Sequence, residues 1–254
     1  MSFDPFGDFE TRGYLRNVFG EKDPNIIKHL EHSSFVAGLP EAFKYLGSIR
    51  QLSYDDVLQT HKILFGDIYP WAGQDRMQSA SEIAVSKGTV LFAHPKDAKA
   101  AVEYGLKLAS DGMVMSARPG EVMGYLAFGH PFLDGNGRTI MVVHAELAER
   151  AGFSVEWTGT SKAAYLNALT QEIGRPGAGH LDAYLKPFLR RPVGIENLVE
   201  HVVNTRGLDG SAGEENRVLG KVSDAELQAR YAAQRLQRQK PEERERSDRG
   251  GRER

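Results

Sequence analysis

The sequence His130-Pro131-Phe132-Leu133-Asp134-Gly135-Asn136-Gly137-Arg138 is the most informative stretch of the chain. A helical segment ends before it near Phe128-Gly129, and an apolar helix begins near Asn136-Gly137. Glycine and asparagine tolerate left-handed or strained backbone conformations, so the amide N–H groups of this loop can converge at the start of the second helix. A helix N-terminus with converging amides predicts an anion-binding site.

The side chains of this loop add chemistry to the anion site. Arg138 supplies a forked cation that suits phosphate. Asp134 would repel a bare phosphate, but it suits a divalent cation shared with phosphate oxygens. His130 is the group there that accepts a proton near neutral pH. A base, a carboxylate, an amide nest and an arginine are the set required for phosphoryl or nucleotidyl transfer.

The simpler interpretation of the same loop is a Gly-Asn-Gly connection between two helices, with His130 as an ordinary loop histidine. That interpretation suits an isolated Gly-Asn-Gly. It fits the full pattern poorly, because chance matches fall steeply as more positions are fixed.

The surrounding sequence predicts a mainly α protein. Residues Ile140 to Ala145 are apolar on all sides of a helix, which indicates a central buried helix. A single segment, Ile83 to Phe92, has β-branched residues on both sides of a turn with glycine, and it predicts one surface hairpin. The predicted helices are Tyr54–Phe65, Pro95–Asp111, Pro119–Phe128, Gly137–Ala151, Ser161–Ile173 and Leu181–Leu189, with Ser53 as the N-cap of the first.

Composition places the chain among ordinary globular proteins. It has 254 residues, 41% of them hydrophobic and 26% charged, with a formal net charge of −2. This balance excludes a wholly disordered chain and gives no overall basic field for nucleic acid or an anionic membrane. The chain has no cysteine, which excludes disulfides, cysteine nucleophiles and thiolate metal sites.

The two ends of the chain carry different expectations. The N-terminal segment from Met1 to Arg12 is acidic and has no apolar core, so we expect no secretory signal. No run of 18 apolar residues predicts a membrane span. Near the other end, Ser223 to Glu226 is typical of a helix cap and opens a polar helix to about Gln239. The segment Lys240 to Arg254 has no apolar residue to bury, and we expect it to be disordered.

The nine-residue loop resembles the signature of the Fic family, His-Pro-Phe-x-(Asp/Glu)-Gly-Asn-Gly-Arg, with every fixed position filled. The segment Ile68 to Arg76 also resembles the family's approach to its flap, and Ile83 to Phe92 stands where the flap hairpin belongs. The resemblance covers roughly Tyr54 to Leu189. It implies a Fic-type helical bundle with one β-hairpin flap and a weakly ordered C-terminal tail. The implied division is an N-terminal helical extension over 1–50, a Fic core over 51–192, and a C-terminal helical segment with a disordered charged tail over 193–254.

The resemblance also implies an activity: transfer of AMP from ATP, with Mg²⁺, to a hydroxyl side chain of a target protein. By motif position His130 would be the catalytic base, Asp134 would bind Mg²⁺, and Phe132 would anchor the loop in the core. The donor's phosphates would lie on Gly135, Asn136, Gly137 and Arg138. The flap would pair its main chain with an extended target segment through Ile83, Ala84, Val85, Thr89, Val90 and Leu91.

The first departure from the family pattern concerns the donor. Many AMP-transferring members carry a second arginine three residues after the first, and here that position is Met141. Met141 on a buried helix is readily interpreted as a core residue. The functional alternative is a different donor, such as a dinucleotide, another nucleoside triphosphate or a nucleotide–choline, or a phosphotransferase. An alternative of another class is a nucleotide-binding interaction module with weak catalysis.

The second departure concerns self-inhibition, which in this family uses a Ser/Thr-x-x-x-Glu-Gly/Asn motif. Ser33, Ala37 and Gly38 fit its frame, but Ala37 replaces the glutamate. The motif is complete at Ser211, Glu215 and Asn216, although neighbouring glycines disfavour a helix there. We expect a chain that is not self-inhibited by the usual route.

The expected partner is a target protein with an acceptor hydroxyl. An antitoxin or regulatory protein is a second kind of partner left open, and we expect no direct nucleic-acid binding and no membrane association. The expected location is the cytoplasm, with delivery into another cell as an effector as the alternative.

Overall fold

The computed structural model describes residues 15–205, 208 and 217–250, with side chains up to residue 238. This part of the chain is mainly helical, and the predicted fold class is confirmed. The helices are α1 (Pro24–Ser48), α2 (Tyr54–Phe65), α3 (Arg76–Ser79), α4 (Pro95–Ala109), α5 (Gly112–Ala117), α6 (Pro119–Gly129), α7 (Asn136–Arg150), α8 (Lys162–Gly174), α9 (His180–Leu185), α10 (Leu198–Val203) and α11 (Ala225–Gly250). Short 3₁₀ turns occur at Trp157–Gly159, Lys186–Phe188 and Ile195–Asn197.

The helix α7 lies at the centre of the fold, as its all-apolar sequence predicts. Val142 and Val143 are fully buried, and α7 packs against α1, α2 and α6. His144 on this helix is buried and its Nε2 donates to the carbonyl of Pro119 at 2.9 Å. Burial lowers the pKa of His144 to about 4, so the ring is a neutral core residue. The loop from His130 to Arg138 is therefore joined directly to the central buried helix of the body.

Local capping explains why the helices begin where the sequence predicts. Ser53 precedes α2, and Asp56 accepts a hydrogen bond from its backbone N–H at 2.8 Å. This is half of a capping box, which supplies partners for the unpaired amides of the first turn. Asp111 accepts from the backbone of Met113 at 2.9 Å and starts α5. That cap explains why the predicted helix Pro95–Asp111 ends earlier, at Ala109, and a second helix follows.

The strands differ from the prediction of a solitary hairpin. The hairpin is present as β1 (Ile83–Lys87) and β2 (Val90–Leu91), but a third strand, β5 (Arg217–Lys221), joins it in the order β2-β1-β5. A separate two-stranded sheet pairs β3 (Ser154–Val155) with β4 (Leu189–Arg190). These extra strands are short and pair with distant segments, so the local sequence carries little signal for them.

The C-terminal helix is longer than predicted. The backbone of α11 runs from Ala225 to Gly250 and passes through the segment expected to be disordered. The disorder expectation is therefore wrong for the backbone as far as Gly250. The physical reason lies in composition, because Glu, Arg, Gln and Lys are good helix formers even where no core is available.

The described ranges contain no candidate membrane span. None of the helices there combines the length and the apolar composition that a bilayer crossing requires. The expectations for Met1 to Arg12 lie outside the described residues.

Candidate active site

The backbone of His130 has an unusual conformation. Its φ is 43°, and it is the one non-glycine residue with positive φ in the described ranges. It ends α6, and its carbonyl accepts a hydrogen bond from Nε of the buried Arg76 at 2.7 Å. The left-handed region costs free energy for a residue with a side chain, so surrounding contacts must hold His130 there. Such strain is typical of a functional position.

The flap supplies one of those contacts. The ring of Phe92, directly after β2, stacks on the ring of His130 with centroids 3.5 Å apart and planes at 6°. Phe92 also donates its backbone N–H to Val85 of β1 at 3.1 Å. His130 is itself buried. The flap therefore fixes the orientation of the predicted base.

The flap residues of the predicted docking set share one hairpin but differ in exposure. Ala84, Val85 and Leu91 are buried, Ile83 and Val90 are half-buried, and Thr89 at the turn is exposed. All of them lie on the one hairpin, which contacts His130 through Phe92.

Gly135 is required where it stands. Its φ is 73°, and a Cβ atom built on it would lie 2.7 Å from Cε2 of Phe65. Both the left-handed backbone and the close ring exclude a side chain. Gly135 is the N-cap of α7, so this turn aims the start of the helix.

Asn136 acts on the loop through its side chain. Its Oδ1 accepts from the N–H of Phe132 at 2.9 Å, and its Nδ2 donates to the carbonyl of Phe132 at 2.7 Å. Phe132 is fully buried, consistent with the anchor implied by the motif. The amide group of Asn136 thus closes the loop, and its share in an anion cradle is limited to its backbone N–H.

His61 is a site residue to which the sequence assigns no role. Its Nδ1 accepts from the N–H of Gly73 at 3.0 Å, and its Nε2 lies 3.0 Å from the carbonyl oxygen of Asp134. A carbonyl only accepts, so Nε2 carries the proton and the ring is neutral. Burial lowers the pKa of His61 to about 3. The ring also stacks on Phe132 at 3.7 Å, so His61 positions the loop.

The start of α7 forms the predicted amide nest. The first helical hydrogen bond runs from the N–H of Thr139 to the carbonyl of Gly135 at 3.0 Å. The amides of Asn136, Gly137 and Arg138 precede it and have no acceptor within the helix. Gly137 is exposed, with open space where a Cβ would be. The helix N-terminus is accessible to an anion, and its partial positive charge favours one.

Arg138 stands beside this nest with one nitrogen paired. Its Nη2 donates to Oε2 of Glu31 at 2.9 Å, and its guanidinium lies 4.7 Å above the ring of Phe65. Its buried Nη1 has no hydrogen-bond partner among the residues that the structure describes. A buried N–H of this kind suits a phosphate oxygen, since an unpaired buried donor is costly.

Glu31 on α1 is the second site residue that the sequence does not predict. It is buried, and the hydroxyl of Tyr69 donates to its Oε1. Burial, together with the charge of Asp134, raises the pKa of Glu31 to about 7 despite the neighbouring Arg138. Glu31 and Arg138 are 107 positions apart, so no local pattern in the sequence could have paired them.

Asp134 fits the role of a magnesium ligand shared with a substrate. It is half-buried, and its Oδ1 accepts from the N–H of Gly135 at 2.6 Å. Across the described ranges no three acidic or histidine side chains gather into a metal cluster. A single carboxylate beside an amide nest matches Mg²⁺, which is usually held by one or two carboxylates plus substrate phosphates.

The predicted inhibitory positions fall only partly within the described residues. Ser33 and Ala37 on α1 are exposed, and Gly38 lies against the backbone of Ile63. The second candidate, Ser211, Glu215 and Asn216, lies outside the described residues. Met141 is buried in the core, which confirms its interpretation as a packing residue.

The fold and the loop together define a class of protein: a helical bundle whose central helix starts at a glycine-rich loop with an open N-terminus and a strained histidine. Residues 51–148 match the model of the Fic/DOC family.

Two similar proteins carry the name protein adenylyltransferase. The protein adenylyltransferase VbhT of Bartonella schoenbuchensis is 30% identical over 237 residues, which cover 87% of this chain and 44% of the relative. The protein adenylyltransferase Fic of Nematostella vectensis is 25% identical over 75% of this chain and 48% of its own length. The chain thus spans about half the length of these two relatives.

Solved structures show the same fold. The BepC protein of Bartonella tribocorum, a VirB-translocated effector with bound AMPPNP, has a TM-score of 0.59 at 18% identity and covers 75% of this chain and 99% of its own. An N-terminal Fic domain from Bartonella quintana with bound ADP has a TM-score of 0.59 at 19% identity, over 74% of this chain and 96% of its own.

Proposed function

We propose that this chain transfers the AMP moiety of ATP to a hydroxyl group of a target protein. The observation that carries the proposal is the open N-terminus of α7, where the amides of Asn136, Gly137 and Arg138, which have no acceptor within the helix, lie on the same short loop as Asp134 and His130. The two relatives named protein adenylyltransferase support the same reaction.

The chemistry follows from the residues of the loop. The acceptor oxygen forms a bond to the α-phosphorus, and the bond from that phosphorus to the bridging oxygen of the β-phosphate breaks. Pyrophosphate leaves with the electron pair, and the hydroxyl proton passes to His130. The amides and Arg138 hold the phosphate oxygens and stabilise their charge in a partly buried site. Mg²⁺ held by Asp134 would add further neutralisation of the phosphate charge.

The direct test is the variant His130→Ala. A base that acts on the acceptor contributes typically about 10²–10⁴-fold to the rate, so transfer should fall by that factor while AMPPNP binding stays close to wild type. Radiolabelled ATP with a cell lysate measures transfer, and calorimetry measures binding. The matched control is His29→Ala, an exposed histidine of α1. Near-full transfer by His130→Ala would refute the proposal.

A second candidate function is transfer from a different diphosphate donor. The buried Met141 supports it, because the turn that follows Arg138 offers no second cation to the end of a triphosphate. Labelled ATP, other nucleoside triphosphates, a dinucleotide and CDP-choline, compared in one assay by mass spectrometry of the product, separate the two. The mass added to the acceptor identifies the donor.

We extend the proposal to partners and place of action. A regulatory protein or antitoxin that binds near Arg138 would alter the affinity for AMPPNP, and co-purification followed by a binding titration tests for it.

The relatives described as VirB-translocated effectors support delivery into another cell as a proposal beside action in the cytoplasm. Fractionation of the producing cell and its contact cell distinguishes the two locations.

A further inference from the structure

The C-terminal segment of the chain lies on the flap. We call β5 and α11 together the C-terminal arm (217–250). β5 pairs antiparallel with β1, with Ile83 opposite Lys221 and Ser86 opposite Arg217, and the register shifts between Ala84 and Val85. The backbone N–H of Val222 continues the contact by donating to Glu82 at 2.9 Å. The outer edge of the flap is therefore occupied from Ile83 to Ser86, which is all of β1 except its last residue.

Side chains of the arm cover the face of the same hairpin. Leu227 and Tyr231 of α11 are buried against Ala84 of β1 and Leu91 of β2 in a small apolar cluster that is separate from the main core. The edge of Tyr231 also contacts the ring of His94, with centroids 4.9 Å apart. The C-terminal arm therefore forms a second layer over the flap.

The opposite edge of the flap is partly occupied as well. Nε2 of Gln234 donates to the carbonyl of Leu91 at 2.7 Å. β2 is only Val90–Leu91, so this bond takes one of its few main-chain acceptors. Among the described residues, β1 forms the longer edge of the hairpin, which could pair with another strand. β5 already occupies that edge.

Two arginines attach the arm to the body of the domain. Arg235 pairs with Asp97 of α4 at 2.8 Å, and both side chains are largely exposed. Arg238 donates to the carbonyl of Ile173 at 2.7 Å and covers the ring of Phe128. With Leu227 and Tyr231 as its buried apolar side chains, the described part of the arm has a small apolar contact for its length. A contact of this size can be displaced by a competing strand.

The sequence of β5 shows whether the arm could supply an acceptor hydroxyl to the site. Arg217-Val218-Leu219-Gly220-Lys221 contains no serine, threonine or tyrosine. A segment that pairs with the flap in this way occupies a docking edge by main-chain bonds but brings no acceptor hydroxyl beside His130.

We propose that β5 is an intramolecular occupant of the target-docking edge, and that an extended segment of the target protein takes its place on β1 after the arm is released. The inference rests on the proposed function for the meaning of "target". The occupancy itself is a property of the folded chain and is measured without nucleotide.

The first experiment releases the arm in the full chain with Leu227→Ala/Tyr231→Ala. Hydrogen exchange of the peptide covering 83–87 should become at least about tenfold faster than in wild type, because the β1 amides lose a strand partner. The matched control is Leu236→Ala, an exposed residue of the same helix. Unchanged exchange in the double variant would overturn the proposal.

The second experiment fills the vacated edge. A fluorescent peptide of residues 215–223 should bind the double variant at least about tenfold more tightly than wild type or Leu236→Ala, since the competent state is then populated. The same peptide with N-methylated amides should not bind, because main-chain pairing needs those N–H groups. Equal binding to all three proteins, or binding of the methylated peptide, contradicts the proposal.

A second variant distinguishes release of the arm from misfolding of the double variant. Val218→Pro removes a backbone donor from β5 and leaves the buried side chains of α11 unchanged. It should reproduce the faster exchange and the tighter peptide binding, while the AMPPNP affinity stays at the wild-type value. Transfer to a lysate should rise in both released variants. If neither wild type nor any variant transfers a group from any donor, the proposed function is wrong. Hydrogen exchange and peptide binding still test the role of the arm in that case.

Discussion

At Arg138, a carboxylate of the chain would compete with a phosphate of the proposed donor for the same cation. Glu31 holds Nη2 at 2.9 Å, whereas the buried Nη1 has no partner among the described side chains. The ionised form of Glu31 is disfavoured by burial and by Asp134, so its protonation state decides how strongly it competes. The cradle therefore contains a titratable group that the nine-residue loop does not reveal.

The variant Glu31→Gln should make donor binding nearly independent of pH. Because the pKa of Glu31 is raised to about 7, the wild-type carboxyl is mostly neutral at lower pH and ionised at higher pH. Ionised Glu31 holds Arg138, so wild-type affinity for AMPPNP should weaken by up to about tenfold between roughly pH 6 and 8. Calorimetry with AMPPNP across this range measures the effect.

The control for that prediction is Glu41→Gln on the same helix, whose exposed side chain pairs with the exposed Lys44. It should keep the wild-type pH profile. A second readout is stability. The folded state binds the extra proton between the ordinary pKa of 4.5 and the raised value near 7, so stability should fall as pH rises through this window. Identical pH profiles for wild type and Glu31→Gln would contradict the role of Glu31.

Asp134 is tested by Asp134→Ala and by Asp134→Asn. Asparagine keeps an oxygen that can accept from the Gly135 N–H, but it removes the negative charge that Mg²⁺ prefers. Both variants should have nearly no transfer activity and no response to added Mg²⁺. A magnesium titration of transfer rate measures this, with melting curves to confirm folding. Asp134→Asn with a normal magnesium response would show that the charge holds no cation.

Among the elements, α3 links the active-site loop to the end of the flap through Arg76. Its guanidinium donates to His130, to Ala93 at 2.8 Å and to Gly129 at 3.3 Å, and the side chain is fully buried. Arg76→Met should lower the free energy of unfolding by at least about 2 kcal/mol, because buried carbonyls lose their donor. Urea unfolding measures it, and the exposed Arg175→Met is the control. A loss no greater than that of the control would refute the linking role.

The helices could be predicted because their signals are local. α2 begins and ends as predicted, at Tyr54 and Phe65, since a capping residue and an amphipathic period lie within one segment. β3, β4 and β5 could not, because each is short and gains its stability from a partner far away in sequence. The extension of α11 beyond Gln239 could not be predicted either, because the segment from Lys240 has no apolar residue and so lacks the amphipathic period that marks the other helices.

The candidate site also has a part that the local sequence predicts and a part that it does not. The loop from His130 to Arg138 could be predicted because its chemistry is contiguous. Glu31 and His61 contact the loop from other elements, and Tyr69 supports Glu31. Neither charge nor spacing marks these three residues in the sequence. The positioning contacts of a site are non-local, whereas the groups expected to react here follow one another along the chain.

At the scale of the whole molecule, the body and the C-terminal arm are held by different amounts of apolar contact. The main core extends from Leu15 to Val202, with α7 at its centre, whereas the arm buries Leu227 and Tyr231 against the flap. The arm should therefore detach at lower free energy than the body unfolds. Its stability depends on the side chains that precede Gln239.

Removing residues 240–254 should leave the thermal midpoint within about 1 °C of wild type. The described contacts of the arm end with Arg238, and the deleted sequence has no apolar residue whose burial could stabilise the fold. Helical backbone alone adds little, because a helix without a packed face is marginal in water. Far-ultraviolet circular dichroism should lose helical signal while the midpoint is unchanged. The comparison is Leu227→Ala/Tyr231→Ala, which removes buried contacts and should lower the midpoint of the flap region. A fall of several degrees on deletion would mean that the charged segment packs on the domain and that the arm is held by more than its apolar pair.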